Sequence, residues 1–585
     1  MTAAQFVNHV EISADWVRRR DQDKFFKKVR GLAGDMVPEL ARRFNLVKNT
    51  PVTRRNEETG EDEEVPAWER LTNANAELTQ FNEQSDRLRK SVDSQILRGR
   101  DFWRKDLDLT ATDDDINAFC DAKARQCHRL IIDFTGVCLS ESIFKVIESY
   151  GVTLSSGERK KIYQLEKPML ERLQDEKWWR RKIKKLAFRT CEQIMRELGH
   201  TSARRGSYVS DYTLRRFISS ERRNANLLDA LEATNELGET FTLSELSAVN
   251  VSNHEIRRGE LMTRLRGQEE WAAQDSREWD AMFYTITCPS KYHIYSGSVK
   301  NEKYNGSTPK QAQSYLSSLW AKVRSKIGRD GIECFGVRVA EPHHDGCPHW
   351  HVLLFVERHS RDALTGILRE YALREDGREP GALEHRFQAE FIDPRKGSAV
   401  GYVAKYVSKN IDGFAVGIDL EAERYAIDTA VRVRAWASCW GIKQFQEIGA
   451  PPVTVYRELR RLARNPERIP VEGSTSGTPE QLSLILNAAD TGDYCEYVNQ
   501  MGGMCVPRCA RPMSICRLVR QQLSKYSETI HYIAGLWCHW FVFPLRTRVH
   551  EWTVKLKQVA PPKSVAGARD LFLSGATAPP LDLCQ

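Results

Sequence analysis

The 585 residues call for about three domains, and their composition is that of a soluble globular protein. A formal net charge of +8 is modest for this size, and it permits a nucleic-acid partner without requiring one. Fourteen cysteines spread through so long a chain exclude a small secreted disulfide framework and suit reduced cytosolic thiols.

In chain order, residues 1–270 read as mainly helical, and no apolar leader is expected at the start. Glu57–Glu64 is a short acidic stretch expected to be a loop. Lys177–Lys185 (KWWRRKIKK) is the most basic run, and Arg204-Arg205 and Arg215-Arg216 continue its positive character. Basic residues interleaved with tryptophans suit phosphate contact and base stacking; a solvated helix face with two half-buried tryptophans fits the same pattern. Glu236–Leu246 reads as a turn into a capped helix.

From Met282 the pattern changes. Met282–Cys288 reads as a strand, and Thr308-Pro309 opens a helix running to about Ile327, with proline at its first position. Cys334–Glu341 and His349–Val356 read as two strands. Residues at i and i+2 share a face, so His349 and His351 point the same way. Asp345-Gly346 is a turn signal, and the resulting hairpin returns Glu341 toward the two histidines. Two imidazoles and a carboxylate form a set able to hold a metal with open positions. A pair of packed or surface histidines is the alternative. His343 and His344 lie in the turn and are left outside the set.

Arg361–Leu373 is helical and Arg386–Ile392 is another strand. Ser398–Ile411 then has a helical stripe of Val400, Val403 and Val407. Tyr402 and Tyr406 sit one turn apart, off that stripe, with Lys405 and Lys409 beside them. Amphipathic tyrosines on a half-exposed helix would look the same. The order β-α-β-β-α-β plus a helix is the split βαβ pattern of ferredoxin-like folds. The expected class is therefore α+β: a ferredoxin-like or RRM-like antiparallel sheet over 271–465, a large helical region over 1–270, and a smaller C-terminal region over 466–585.

Neither Cys120-x6-Cys127-His128 nor Cys505-x3-Cys509-x6-Cys516 has the paired short spacing of a structural zinc site. Gly473–Pro479 reads as a linker, Leu482–Tyr497 as helical, and the tail from Ala566 as poorly ordered. The longest apolar run, Ile533–Leu545, is broken by His539 and too short to span a bilayer, so no membrane is expected. No Gly-Lys dipeptide occurs, so there is no Walker A loop.

The motifs together resemble the replication gene A proteins of temperate tailed bacteriophages, within the HUH endonucleases that initiate rolling-circle replication. His349-Trp-His351 matches that superfamily's metal motif, and Tyr402 with Tyr406 matches the motif of its two-tyrosine branch. Phe283–His293 looks like the first motif, and the similarity runs on through Ala435–Gln446 and Val453–Arg460. It is closest from about 255 to 464, looser upstream, and ends near Pro507. The resemblance implies a tyrosine nickase that forms a 5′-phosphotyrosine link at a replication origin. It implies Mg2+ or Mn2+ on Glu341, His349 and His351, with Tyr402 and Tyr406 as nucleophiles and Lys405 or Lys409 assisting. Its expected partners are single-stranded or supercoiled origin DNA and, in the bacterial host cytoplasm, a replicative helicase, a single-strand-binding protein and a DNA polymerase. A plasmid relaxase, which usually carries its tyrosine before the histidines, a non-cutting origin-binding protein and a packaging or scaffold factor are the other readings.

Overall fold

The computed structural model describes residues 113–202, 206–296, 299–419, 424–465, 479–539, 541 and 543–557, with the strands Thr53–Arg55 and Asp62–Glu64 upstream. Those two strands pair antiparallel, so the end of the acidic stretch expected to be a loop is a strand. The expected linker before Pro479 and the tail from Ala566 lie outside the described residues. The chain forms two compact units, Met1–Cys191 and Glu192–Gln585. Among the described residues, no helix is long and apolar enough to cross a membrane.

The first unit is helical. Asp113–Asp133, Gly136–Ser149, Ser156–Tyr163 and Lys167–Leu173 pack with the start of Glu176–Glu197 around Cys120, Ile143, Ile147 and Ile183. Trp178 and Trp179 belong to this core at 4% and 0% exposure, and the Trp179 indole donates to the Leu173 carbonyl at 2.9 Å. They are fully packed rather than half-buried, so neither offers a platform for stacking a base.

The second unit is built on a five-stranded antiparallel sheet. Its elements are α1 (His254–Gln274), β1 (Trp279–Thr287), α2 (Pro309–Arg329), β2 (Cys334–Pro342), β3 (Pro348–Glu357), α3 (Arg361–Leu373), β4 (Phe387–Phe391), α4 (Ala399–Ile411), α5 (Ala426–Trp440), β5 (Phe445–Ile448) and α6 (Val453–Ala463). The strand order is β4-β1-β3-β2-β5, each pair antiparallel. The helix start anticipated at Thr308 is a capping box: Thr308 accepts from the Gln311 amide, and the Gln311 side chain accepts from the Thr308 amide.

Alternation along the strands divides the sheet. On one face α2 and α3 pack over β1 and β3, with hydrogen bonds of 3.0 Å from Trp350 to Gln313 and between Tyr284 and Thr365. On the other, Phe283, Val337 and Leu353 share a core with Val400, Val403 and Val407 of α4. The sheet therefore carries helices on both faces. Burying five strands' worth of apolar side chains on the second face requires such a cover.

The rest of the unit follows the same physics. Leu231–Asn235 and Thr240–Thr242 make a small sheet with Trp552–Leu556, adding strands to a region expected to be mainly helical. The capped helix foreseen after Glu236 is Leu243–Ala248, boxed by Thr242 and Glu245. The segment expected to be helical after Leu482 is two helices, Pro479–Thr491 and Tyr494–Gln500. Beyond Pro507 the chain forms a long hairpin, Met513–Leu523 with Thr529–Cys538.

Candidate active site

The hairpin joining β2 to β3 sets the site. Gly346 sits at φ +81°, and a Cβ there would lie 3.1 Å from the Tyr208 carbonyl, so the tight turn requires glycine. Register then places Glu341 directly opposite His349, and His351 between Val339 and Thr285. Side chains paired across an antiparallel ladder share a face, so all three candidate ligands converge at one end of the sheet.

Glu341, His349 and His351 are 1%, 5% and 7% exposed, and one donor atom from each lies within 4.8 Å of the others. The two Nε2 atoms face each other at 3.0 Å, and His351 Nε2 is 4.0 Å from the Glu341 carboxylate. Thr285 fixes the far side of His351 through Nδ1 at 3.1 Å. The Asn410 amide donates to Glu341 and is itself held by Gln444 at 2.9 Å. Burial, followed by the charges of His343, His351 and Lys409, pushes the His349 imidazole well below its ordinary value. A neutral ring keeps the lone pair that a metal takes. Two ligands at right angles about an ion, each ~2.1 Å from it, stand ~3.0 Å apart, so the paired imidazoles fit a divalent cation.

The tyrosine helix lies against this cluster. Ser398 caps α4 by accepting from the Gly401 amide at 3.0 Å. Tyr402 and Tyr406 are both half-buried, but their surroundings differ. The Tyr406 ring lies 4.0 Å from that of His351 and stacks on Phe283 at 5.4 Å, centroid to centroid. Its phenol is pushed up to about 12, first by burial and then by the Glu341 charge, against the pull of Lys409. Tyr402, one turn earlier, packs at the margin of the core, and among the described residues no aromatic ring stacks on it.

The lysines part company too. Lys405 is exposed, its ammonium 4.8 Å from the Tyr406 ring centroid. Lys409 points inward, 3.6 Å from the Glu341 carboxylate and 3.2 Å from that of Asp419. Asp419 accepts from the Tyr208 hydroxyl at 2.6 Å. His343, left outside the metal set, packs its ring 4.0 Å from that of His349 and so supports the ligand.

Thr285, Asn410, Asp419, Tyr208 and Gln444 escaped the sequence reading. Asn410 carried a signal there, since it continues the Tyr402–Tyr406 spacing by four residues along one helix face, and Thr285 and Gln444 lie within the motif stretches Phe283–His293 and Ala435–Gln446.

The family described as bacteriophage replication gene A protein (GPA) matches residues 150–414. The replication gene A protein of Escherichia phage 186 is 36% identical over 498 residues, which cover 82% of this chain and 68% of that protein. The chain belongs to the bacteriophage replication gene A protein family. A probable replication protein P12 of Pseudoalteromonas phage PM2 is 40% identical over 373 residues, 63% of this chain and 56% of that protein. A probable replication endonuclease from a prophage-like region of Salmonella typhimurium is 36% identical over 383 residues, 64% and 47% of the two. The chain thus spans about half the length of the latter two relatives. No solved structure matches it. In this replication gene A family member the matched segment contains Tyr208, the Glu341-His349-His351 cluster and both tyrosines.

Proposed function

We propose that the protein is a site- and strand-specific DNA nicking and joining enzyme that initiates rolling-circle replication of a phage genome. The observation that carries this reading is the seating of Tyr406 on His351, at the edge of a buried Glu-His-His cluster. The names of the prophage relatives support it. So does the order β4-β1-β3-β2, which agrees with a ferredoxin-like nuclease core over 271–465.

In this reading the tyrosine oxygen attacks a DNA phosphorus, and the bond from phosphorus to the 3′ oxygen breaks. The departing oxygen takes a proton and becomes a 3′-hydroxyl able to prime a polymerase. One phosphodiester replaces another, so the reverse attack rejoins the strand without ATP. Mg2+ or Mn2+ on Glu341, His349 and His351 would polarise the scissile phosphate. Asn410 and Thr285 hold two of those ligands in place. Lys405, exposed beside Tyr406, would meet the phosphate, while Lys409 balances the buried Glu341. The substrate is single-stranded or supercoiled origin DNA. Host helicase, single-strand-binding protein and polymerase complete the reaction in the host cytoplasm, since the chain carries no Walker A motor.

The test is to mix the protein with supercoiled DNA bearing its origin and either metal. Nicked circles whose 5′ end stays protein-linked are expected. Binding without nicking would make it the non-cutting origin-binding protein instead.

A further inference from the structure

We infer that the outward face of the Asp211–Ala230 helix binds the phosphate backbone of duplex DNA beside the site. Arg215, Arg216, Ser219, Arg222, Arg223 and Asn226 are all exposed, and at about 100° per residue they fall within an arc of about 120°. The opposite face is committed to the fold. Thr213 is buried there, and Glu221 meets Arg434 of α5 at 3.6 Å. The helix start is pinned by Arg432, which pairs with Asp211 and donates to the Val209 carbonyl at 2.9 Å.

Among the described residues, Arg215, Arg222 and Arg223 form no ion pair, unlike the arginines that anchor the helix. A row of exposed arginines on a rigid helix, three of them outside any ion pair, is a surface for a polyanion. Arg215 to Asn226 extends over ~16 Å of helix axis, enough to follow one face of a groove ~12 Å wide. Single-strand binders alternate basic residues with several stacking rings. Here Tyr212 is the one aromatic on the face, at its N-terminal end. Duplex is therefore the better fit.

Placement ties the face to the cut. The helix begins just after Tyr208, whose amide donates to the His344 carbonyl at 3.2 Å and whose hydroxyl holds Asp419. The N-terminal end of the arginine face therefore lies next to a segment bonded to the hairpin that carries the candidate ligands. The inference rests on the reading that the protein acts on DNA, and it assigns the element that holds the duplex flanking the nicked strand.

The experiment uses the full chain in chelator, where no cutting occurs, with a fluorescent random-sequence duplex and the matching single strand titrated over a range of salt. Substituting Arg215, Arg216, Arg222 and Arg223 together by Gln should weaken duplex binding by about tenfold or more. It should also lower the salt slope by ~0.9 for each phosphate that is no longer neutralised. The four Lys substitutions should keep the slope. Nicking of a single-stranded origin oligonucleotide with metal should be unchanged in the Gln variant. A folded Gln variant with wild-type duplex affinity and slope would overturn the inference and leave the face to an acidic protein. Equal weakening on duplex and single strand would overturn the assignment to duplex. If the wild type never nicks yet the duplex results hold, the catalytic reading fails and this inference stands.

Discussion

Replacing each tyrosine by phenylalanine should separate two candidate nucleophiles that sequence alone leaves equivalent. Four residues along a helix separate Tyr402 from Tyr406 by ~6 Å of rise. Tyr406 already touches the His351 ring, and Tyr402 does not. A nucleophile must approach to ~3–3.5 Å, and a misplacement of 1 Å can cost ~100-fold. Tyr406→Phe should therefore slow single-turnover nicking of a single-stranded origin oligonucleotide by ~100-fold or more, a barrier increase of ~2.7 kcal/mol. Tyr402→Phe should stay within about threefold of wild type, because this helix and sheet keep Tyr406 in place without it. A rolling circle needs a second cut to release the displaced strand, so both variants should fail to release circles, and the double variant should form no adduct. A 3′-labelled oligonucleotide resolved on a denaturing gel reports the adduct, and peptide mass spectrometry locates it. Nicking at the wild-type rate by Tyr406→Phe, with none by Tyr402→Phe, would refute the assignment of Tyr406 as the first nucleophile.

Other substitutions probe the supports of the site. His349→Ala or His351→Ala should abolish nicking and Mn2+ binding by calorimetry while leaving the thermal midpoint near wild type. Removing one of two converging imidazoles relieves crowding, which offsets the packing it gives up. Asn410→Ala should weaken Mn2+ binding by ~10–100-fold, the usual cost of losing a hydrogen bond to a ligand. Glu458 of α6 is 1% exposed; burial raises its carboxyl, but hydrogen bonds from Arg548 and Thr547 and the charge of Arg461 lower it further, to below its ordinary value. A depressed carboxylate stabilises above its unfolded pKa and loses that stabilisation as pH falls. Urea unfolding should thus show Glu458→Gln costing ~3 kcal/mol at pH 7, with the gap to wild type closing below pH ~4.

The strands were legible because their parity was clean. Phe335, Val337, Val339 and Glu341 alternate with residues of the other face, and His349 and His351 continue the same rule across the hairpin. Periodicity also gave the tyrosine helix, since three valines fix its buried side. What parity could not show was the second cover of the sheet. A strand buried on both faces and one buried on a single face differ only in how apolar the alternate positions are. Trp178 and Trp179 misled for a related reason. Charged neighbours such as Arg180 and Lys182 lay their stems along a helix whose inner face holds both indoles and place their ends on Asn117 and Glu158 of neighbouring helices. Tyr208 and Asp419 were invisible because contacts between segments so distant in sequence leave no local pattern.

Those two residues matter to the charge of the site. Glu341 is 1% exposed, and a buried carboxylate without a cation is costly. Lys409 supplies one, but it is shared: Asp419 stands 3.2 Å from its ammonium. A divalent ion drawn to Glu341 would thus leave Lys409 paired with Asp419, so one cation can replace another without stranding either charge. Asp419 can serve that purpose only if it stays in place. Its anchor is Tyr208, fully buried with φ +76°, a conformation a tyrosine keeps only where its surroundings over-determine it. The His344 carbonyl at its amide and Asp419 at its hydroxyl provide that constraint. The cation balance of the hairpin is therefore set in part by a segment well upstream of β1, which gives the family match a physical reason to extend beyond the sheet and helix that carry the histidines and tyrosines.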